Sequence, residues 1–302
     1  MKRLALSIVD ELRRRAEQSD RIWVLDGDLG DSYGLYDAQG RPVFSRFVQA
    51  GIAEQALIGV AAGLAVSGQW PWVFSFSAFL CHRGADQIRT CVASQGLPVV
   101  MIGSHAGAAS GTNGASHASL SDLGVLASIG GVDLWAPADA ADVELAVGSL
   151  AASPRPAYVR TSREPVGDLR LPPGVVRGNG VAGETVLLSC GYASHWAQEA
   201  VQALAADGVP IPWQHIAHLG ETVLAQWITS QPRLRGIVVL EDHGPAGGLA
   251  DTVRRIAPPG VTVRALSWPS GWHGESGAIA DLRRAHGLDT DALVRRIKEN
   301  MT

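Results

Sequence analysis

Between Gly51 and Val66 the chain reads Gly-Ile-Ala-Glu-Gln and then Ala-Leu-Ile-Gly-Val-Ala-Ala-Gly-Leu-Ala-Val, one acid at the head of a long run of small and apolar residues. A helix that is apolar all round belongs in an interior, and one rich in Gly and Ala lets another backbone come very close. Glu54 is therefore expected to be a buried or interfacial carboxylate. Such a group is costly to ionise unless it is paired, and unpaired it holds its proton more tightly. Either state marks a functional-site candidate. The plain alternative is an acid in a helical first turn, favoured by the dipole and left partly exposed.

A chain of 302 residues with 46% hydrophobic content has room for two domains with buried cores. Its net charge of −4, with no basic run, argues against a nucleic-acid-binding surface. Cys81, Cys91 and Cys190 are widely spaced and sit among apolar residues, which reads as free thiols in a reducing cytoplasm. The N-terminus passes directly into an amphipathic helix ending in Arg13-Arg14-Arg15, with no apolar core of signal length. No apolar run reaches the roughly 20 residues of a membrane span.

Residues 4–18 read as a helix and Ile22-Trp23-Val24-Leu25 as a buried strand, ending at Asp26, Asp28 and Asp31. Three aspartates at a strand end invite a metal reading, against a capped, solvated turn. After the Glu54 helix, a strand at 72–76, a helix from about 78 to 94 and a strand at 98–102 make a βαβ unit, hence a parallel sheet. Phe76 and Phe79 flank the strand's C-terminal end, where open α/β sheets bind ligands, although aromatics at this spacing are more often core. Residues 103–117 are too Gly-rich for a regular element and too poor in charge for a solvated loop, so they are expected to line a cleft. His105 and His117 lie in it. They lack a third partner for a metal, and imidazoles titrate where proton transfer is useful, but ordinary surface histidines remain the alternative.

Strands at 132–137 and 157–161 with a helix at 140–151 complete a first domain, residues 1–165. Pro165, Pro172 and Pro173 with several glycines mark residues 166–183 as a linker. Its end, from Gly178 to Gly183, satisfies Gly-x-Gly-x-x-Gly but precedes a strand, the wrong order for a dinucleotide fingerprint. A second domain, 184–302, alternates again, with strands at 185–189, near 211, at 236–241 and at 261–266. The loop from Asp242 to Gly248 lies between strand and helix, where amides can cradle an anion. The fold class is thus α/β, as two three-layer α/β/α domains with mainly parallel sheets.

The Gly51–Gln55 motif with its Gly/Ala-rich helix resembles the pyrimidine-binding domain of transketolases. The likeness runs in order through Phe76-Ser77-Ala78-Phe79, Asp86 to Arg89, Ser104 to Gly107, Gly111 to His117, Pro137 to Asp139, Ser162 to Pro165, Glu241 to His243 and Gly274 to Gly277. It implies thiamine diphosphate as cofactor, with Glu54 sharing a proton with the pyrimidine and Phe79 stacking on it. Phe76 and His82 would stand beside it, His82 where many relatives carry Tyr. His105 and His117 match histidines that bond substrate hydroxyls and move protons. Ser32 and Arg163 match groups on the substrate phosphate, the alternative for Arg163 being a surface salt bridge with Glu164. Asn113 departs from the family's Asp, keeping a hydrogen bond to a substrate hydroxyl while removing a negative charge.

In that family Mg²⁺ is held by a Gly-Asp-Gly motif and a later Asn. Here the order at Asp26 is Asp-Gly-Asp and no Asn falls between residues 40 and 60. The resemblance therefore implies the C-terminal subunit of a split transketolase, with the Mg²⁺ and diphosphate ligands on an N-terminal partner subunit. The expected assembly is a two-plus-two heterotetramer, in the cytoplasm, with small-molecule substrates and neither nucleic acid nor membrane. The reaction implied is transfer of a two-carbon ketol unit from a ketose or ketose phosphate to an aldehyde. Alternatives are the beta chain of a 2-oxo-acid dehydrogenase or related enzyme, and a non-catalytic stabilising partner.

Overall fold

The computed structural model describes residues 2–179 and 184–301, so the last four residues of the Gly-x-Gly-x-x-Gly match lie outside the described residues. Two sheets organise the chain. Strands β1 (Ile22–Asp26), β2 (Phe47–Gln49), β3 (Trp70–Phe76), β4 (Val100–Ser104), β5 (Asp133–Trp135) and β6 (Ala157–Arg160) pair in the order β2-β1-β3-β4-β6-β5, all parallel. Strands β7 (Val176–Gly178), β8 (Thr185–Ser189), β9 (Trp213–Ile216), β10 (Gly236–Leu240) and β11 (Thr262–Leu266) pair in the order β11-β10-β8-β9-β7. Only β7 runs antiparallel to its neighbour.

Alternation along each strand builds the layers. Leu25, Val73, Met101 and Tyr158 face one way, into a core shared with Leu57, Ile58 and Leu123. Their neighbours Val24, Trp72, Phe74, Ile102 and Val159 face the other way, onto Ile8, Leu12, Val143 and Val147. Strands buried on both faces read as continuous apolar runs, as these do. The second sheet repeats the plan, with Val186, Leu188, Ile237 and Val239 under Leu224 and Val253, and Leu187, Val238 and Leu240 against Trp196, Ala200 and Leu293. The expected three-layer α/β/α arrangement is what forms.

Several local expectations need correcting. The stretch 78–94 is not one helix: it runs Ser77–Arg83, Ala85–Gln87, a π turn at Ile88–Val92 and a 3₁₀ turn at Ala93–Gln95. The hydroxyls of Thr90 and Ser94 bond back to the carbonyls of Asp86 and Thr90, at 2.7 and 2.8 Å, which competes with the regular ladder. The helix Glu54–Val66 is not buried all round either. Leu57, Ile58, Ala61 and Ala65 pack inward, but Val60 and Val66 are 45% and 68% exposed, as is Ile52 just before the helix, at 70%. Strand β7 forms inside the stretch read as a linker. The strand near Ile211 begins instead at Trp213. Among the described residues no helix is long and apolar enough to cross a membrane.

Candidate active site

The candidate residues follow the C-terminal ends of strands in the first sheet. Ser32 comes after β1, Glu54 after β2, Phe79 after β3, His105 after β4 and Arg163 after β6. Because the sheet is parallel, all of these ends lie on one edge, the usual ligand edge of an open α/β sheet.

The turn after β1 is built by Asp26. Its carboxylate accepts from the amides of Leu29 and Gly30 at 2.9 and 3.1 Å and from Gln49 Nε2 at 2.9 Å, so it is spent on capping. Burial raises its pKa. Among the described residues no three His, Cys, Asp or Glu side chains converge to hold a metal. The turn carries Tyr33 inward, where its hydroxyl donates to the Ser75 carbonyl at 3.0 Å and locks the Ser32 loop onto β3.

Glu54 opens its helix and is 2% exposed. Its Oε1 accepts from Ser75 Oγ at 3.1 Å and its Oε2 from Arg83 Nη1 at 3.2 Å, so the carboxylate is buried and paired. The same guanidinium lies over the Phe79 ring, 4.1 Å from its centroid. A pocket of about 480 Å³ opens here, lined by Ile52, Glu54, Gln55, His82 and Arg83. His82 stands at its rim, with Nε2 3.1 Å from Ser121 Oγ.

Phe76 joins this pocket to the histidines. Its ring lies 5.4 Å from Phe79, 4.6 Å from His105 and 4.9 Å from His117, and Phe79 is also 4.9 Å from His117. Both aromatics are partly exposed beside these imidazoles, not enclosed in the core. His105 adopts a left-handed backbone, φ 54°, which is strained for a residue with a side chain and common at functional sites. It is held there by the Ala106 amide donating to Thr161 O at 3.0 Å and by a 2.7 Å hydrogen bond between His105 Nδ1 and Ser104 Oγ. Burial, then the charges of Arg163 and Arg3, push the His105 pKa down to about 4. Burial and Arg83 lower that of His117. At neutral pH both are proton acceptors. His105, 8% exposed, is not an ordinary surface residue.

Ser32, His105 and Arg163 meet at one crevice, together with Arg3, Ser104 and Ser162. Arg163 reaches away from Glu164: its Nη1 is 3.5 Å from Ser110 O and lies against Gly111, where any Cβ would be 2.0 Å from that nitrogen. Asn113 sits exposed on the 3₁₀ turn Gly111–Ser116. Arg3 and Arg83 are additions that the sequence reading missed. Each is a lone basic residue beside a recognisable element, with no pattern of its own.

The loop after β10 does not offer its amides to an external anion. Glu241 is fully buried and takes the amides of Leu249 and Ala250 at 2.6 and 3.3 Å, filling that helix N-terminus from within. Burial pushes its pKa up to about 7. Between the sheets, Arg160 Nε donates to Asp122 at 2.7 Å and its Nη2 to the Asp242 carbonyl at 2.7 Å.

Residues 5–167 match the family described as transketolase, pyrimidine binding domain. A 6-deoxy-6-sulfo-D-fructose transketolase subunit of Clostridium sp. (strain MSTE9) is 38% identical over 158 residues, 52% of this chain and 48% of that protein, so the match spans about half of that relative. A putative transketolase C-terminal section of Methanocaldococcus jannaschii is 29% identical over 93% of this chain and 91% of its own length. Among solved structures, a split gene transketolase described as an inactive beta4 tetramer superposes with a TM-score of 0.78 at 26% identity, covering 97% of this chain and 96% of that one. The chain belongs to the transketolase family that carries this pyrimidine-binding domain.

Proposed function

We propose that this chain is the C-terminal subunit of a two-chain, thiamine-diphosphate-dependent transketolase that moves a two-carbon ketol unit from a ketose or ketose phosphate to an aldehyde. The observation that carries the reading is the single wall formed by Phe76, Phe79, His105 and His117, with the Glu54 carboxylate at one end and Arg163 at the other. A proton donor and acceptor, a stacking face, two neutral imidazoles and an anion-binding fork thus follow one another along a single row of side chains, from the pocket at Glu54 to the crevice at Arg163.

The residues present fit the cofactor's pyrimidine. Arg83 already lays a planar, N–H-bearing cation on Phe79 and against Glu54, so this carboxylate and this ring face suit a flat nitrogen heterocycle. Thiamine diphosphate, when bound, supplies the electron sink for the two-carbon unit. Glu54 holds a proton at the heterocycle, and Phe79 with Phe76 stacks and excludes water. His82 closes the rim. His105 and His117, neutral at pH 7, accept hydrogen bonds from substrate hydroxyls and take up a proton as the donor is cleaved. Ser32 and Arg163, with Arg3, bind the anionic end, the guanidinium fork giving direction to the contact. Asn113 bonds a hydroxyl without adding charge.

A partner subunit supplies the diphosphate and Mg²⁺ ligands. The exposed apolar side of the Glu54 helix, with Ile52, Val60 and Val66 around Gly59 and Gly63, gives the assembly a smooth packing face beside the pocket. We place the complete enzyme in a two-plus-two heterotetramer in the cytoplasm, with the domain division at 166–183.

Co-purification with a diphosphate-binding partner, followed by an assay of ketose phosphates against pyruvate and hydroxypyruvate with products read by mass spectrometry, tests the reading. It expects a two-carbon extension of an aldehyde. Decarboxylation of pyruvate without any ketol transfer from a ketose would replace it with the 2-oxo-acid dehydrogenase alternative.

A further inference from the structure

The second domain reaches into the first domain's cleft at two points. Ser276 Oγ donates to the Thr112 carbonyl at 3.1 Å, and the Gly277 amide donates to the Gly111 carbonyl at 3.0 Å. Contact there is close on both sides. A Cβ on Gly114 would lie 2.7 Å from Ser276 Oγ, and one on Gly274 would lie 2.5 Å from Ala118 Cβ. Gly111, held from behind by Gly277, is the residue against which the Arg163 guanidinium rests. Further along the same loop, Asp242 Oδ1 accepts from the Ala108 amide at 3.1 Å and from Trp268 Nε1 at 2.7 Å. Trp268 stacks on Trp272, 4.6 Å between centroids, and Trp272 Nε1 donates to Glu275 at 2.9 Å. Two indoles thus brace the 274–277 segment over the turn that carries Asn113.

We propose that Ser276 is a positioning residue: its hydroxyl on the Thr112 carbonyl, next to the Gly277 amide on the Gly111 carbonyl, fixes the 111–117 turn, and so the placement of Arg163, Asn113 and His117 in the cleft. The second domain then helps to set which substrate the first domain accepts. A turn built from Gly-Thr-Asn-Gly-Ala-Ser has almost no side-chain packing of its own, so its shape must come from outside. Ser276 is exposed, and its substitution leaves the core intact. The kinetic half of the proposal rests on the transketolase reading, but the structural half does not.

Amide hydrogen exchange on the full chain decides the structural half. Ser276→Ala should speed exchange across 111–118 by about three- to tenfold, the size expected for one hydrogen bond, while Ser276→Thr, which keeps the hydroxyl, should restore protection. In the co-purified complex, Ser276→Ala should raise KM for a ketose phosphate donor by about three- to tenfold with kcat changed less than about twofold, and Ser276→Thr should recover it. Unchanged exchange in Ser276→Ala overturns the proposal. So does faster exchange with an unaltered KM in an active complex. A wild-type complex that transfers no ketol unit would sink the functional reading alone, since exchange rates are read without turnover.

Discussion

Arg83 donates to Glu54 across 3.2 Å, joining a half-exposed guanidinium to a carboxylate that is 2% exposed. The pairing decides how a buried acid is tolerated at the head of an apolar helix. It also places a removable cation over Phe79, where the proposed cofactor ring would stack.

Replacing Arg83 by Ala leaves the carboxylate buried with Ser75 as its remaining partner from this set. Because the guanidinium is partly solvated, the loss should be modest, about 1–2 kcal/mol in the free chain by urea unfolding. The contact contributes nothing if the unfolding midpoint does not move.

Arg163→Ala should raise KM for a phosphorylated substrate much more than for its unphosphorylated analogue, since a charged fork contributes most against a charged partner. Steady-state kinetics on the matched pair give the ratio. Equal effects on both substrates would make Arg163 a support for Ser110 and Gly111 only.

The pKa of His105 lies near 4, against 6.5 for the unperturbed ring. Between these values the folded chain binds fewer protons at this site than the unfolded chain. Its contribution to stability is complete above about pH 6.5 and is lost as pH falls toward 4. The His105 ring resonances should stay flat between about pH 8 and pH 5.5 in an NMR titration. A midpoint near 6.5 would mean that the ring is solvated.

The fold was legible because its strands are apolar on both faces and punctuated by Gly, Pro and Asp, so the βαβ order showed directly. The Glu54, Phe79 and His105 elements were legible through their neighbours, as short motifs at strand ends. Arg3 and Arg83 were not, because a single arginine gives no periodicity and its partners lie far away, as Arg83 shows with Glu54, 29 positions back. The broken helix after Phe79 was hidden for a related reason. Hydroxyl back-bonds at Thr90 and Ser94 are local choices that apolar spacing does not encode. The anion reading of the loop after β10 failed because Glu241, the first residue after that strand, turns into the helix N-terminus itself.

Arg160 is 5% exposed and ties Asp122 to the second domain through the Asp242 carbonyl. Arg160→Met would leave Asp122 buried without its cation and should cost about 3–5 kcal/mol by denaturant unfolding. A loss below about 1 kcal/mol would show that water, or His243, whose Nε2 lies 3.7 Å from Asp122 Oδ1, replaces the guanidinium.

The most direct test is proton exchange at the reactive thiazolium carbon of bound thiamine diphosphate in the complete complex, comparing wild type with Glu54→Gln. The amide keeps the shape and helix packing of the acid but cannot pass a proton, so assembly should persist while exchange slows by roughly 10²–10⁴-fold. This readout needs neither donor nor acceptor. Exchange at the wild-type rate in a normally assembled Glu54→Gln complex would contradict the role given to Glu54, and with it the account of the site.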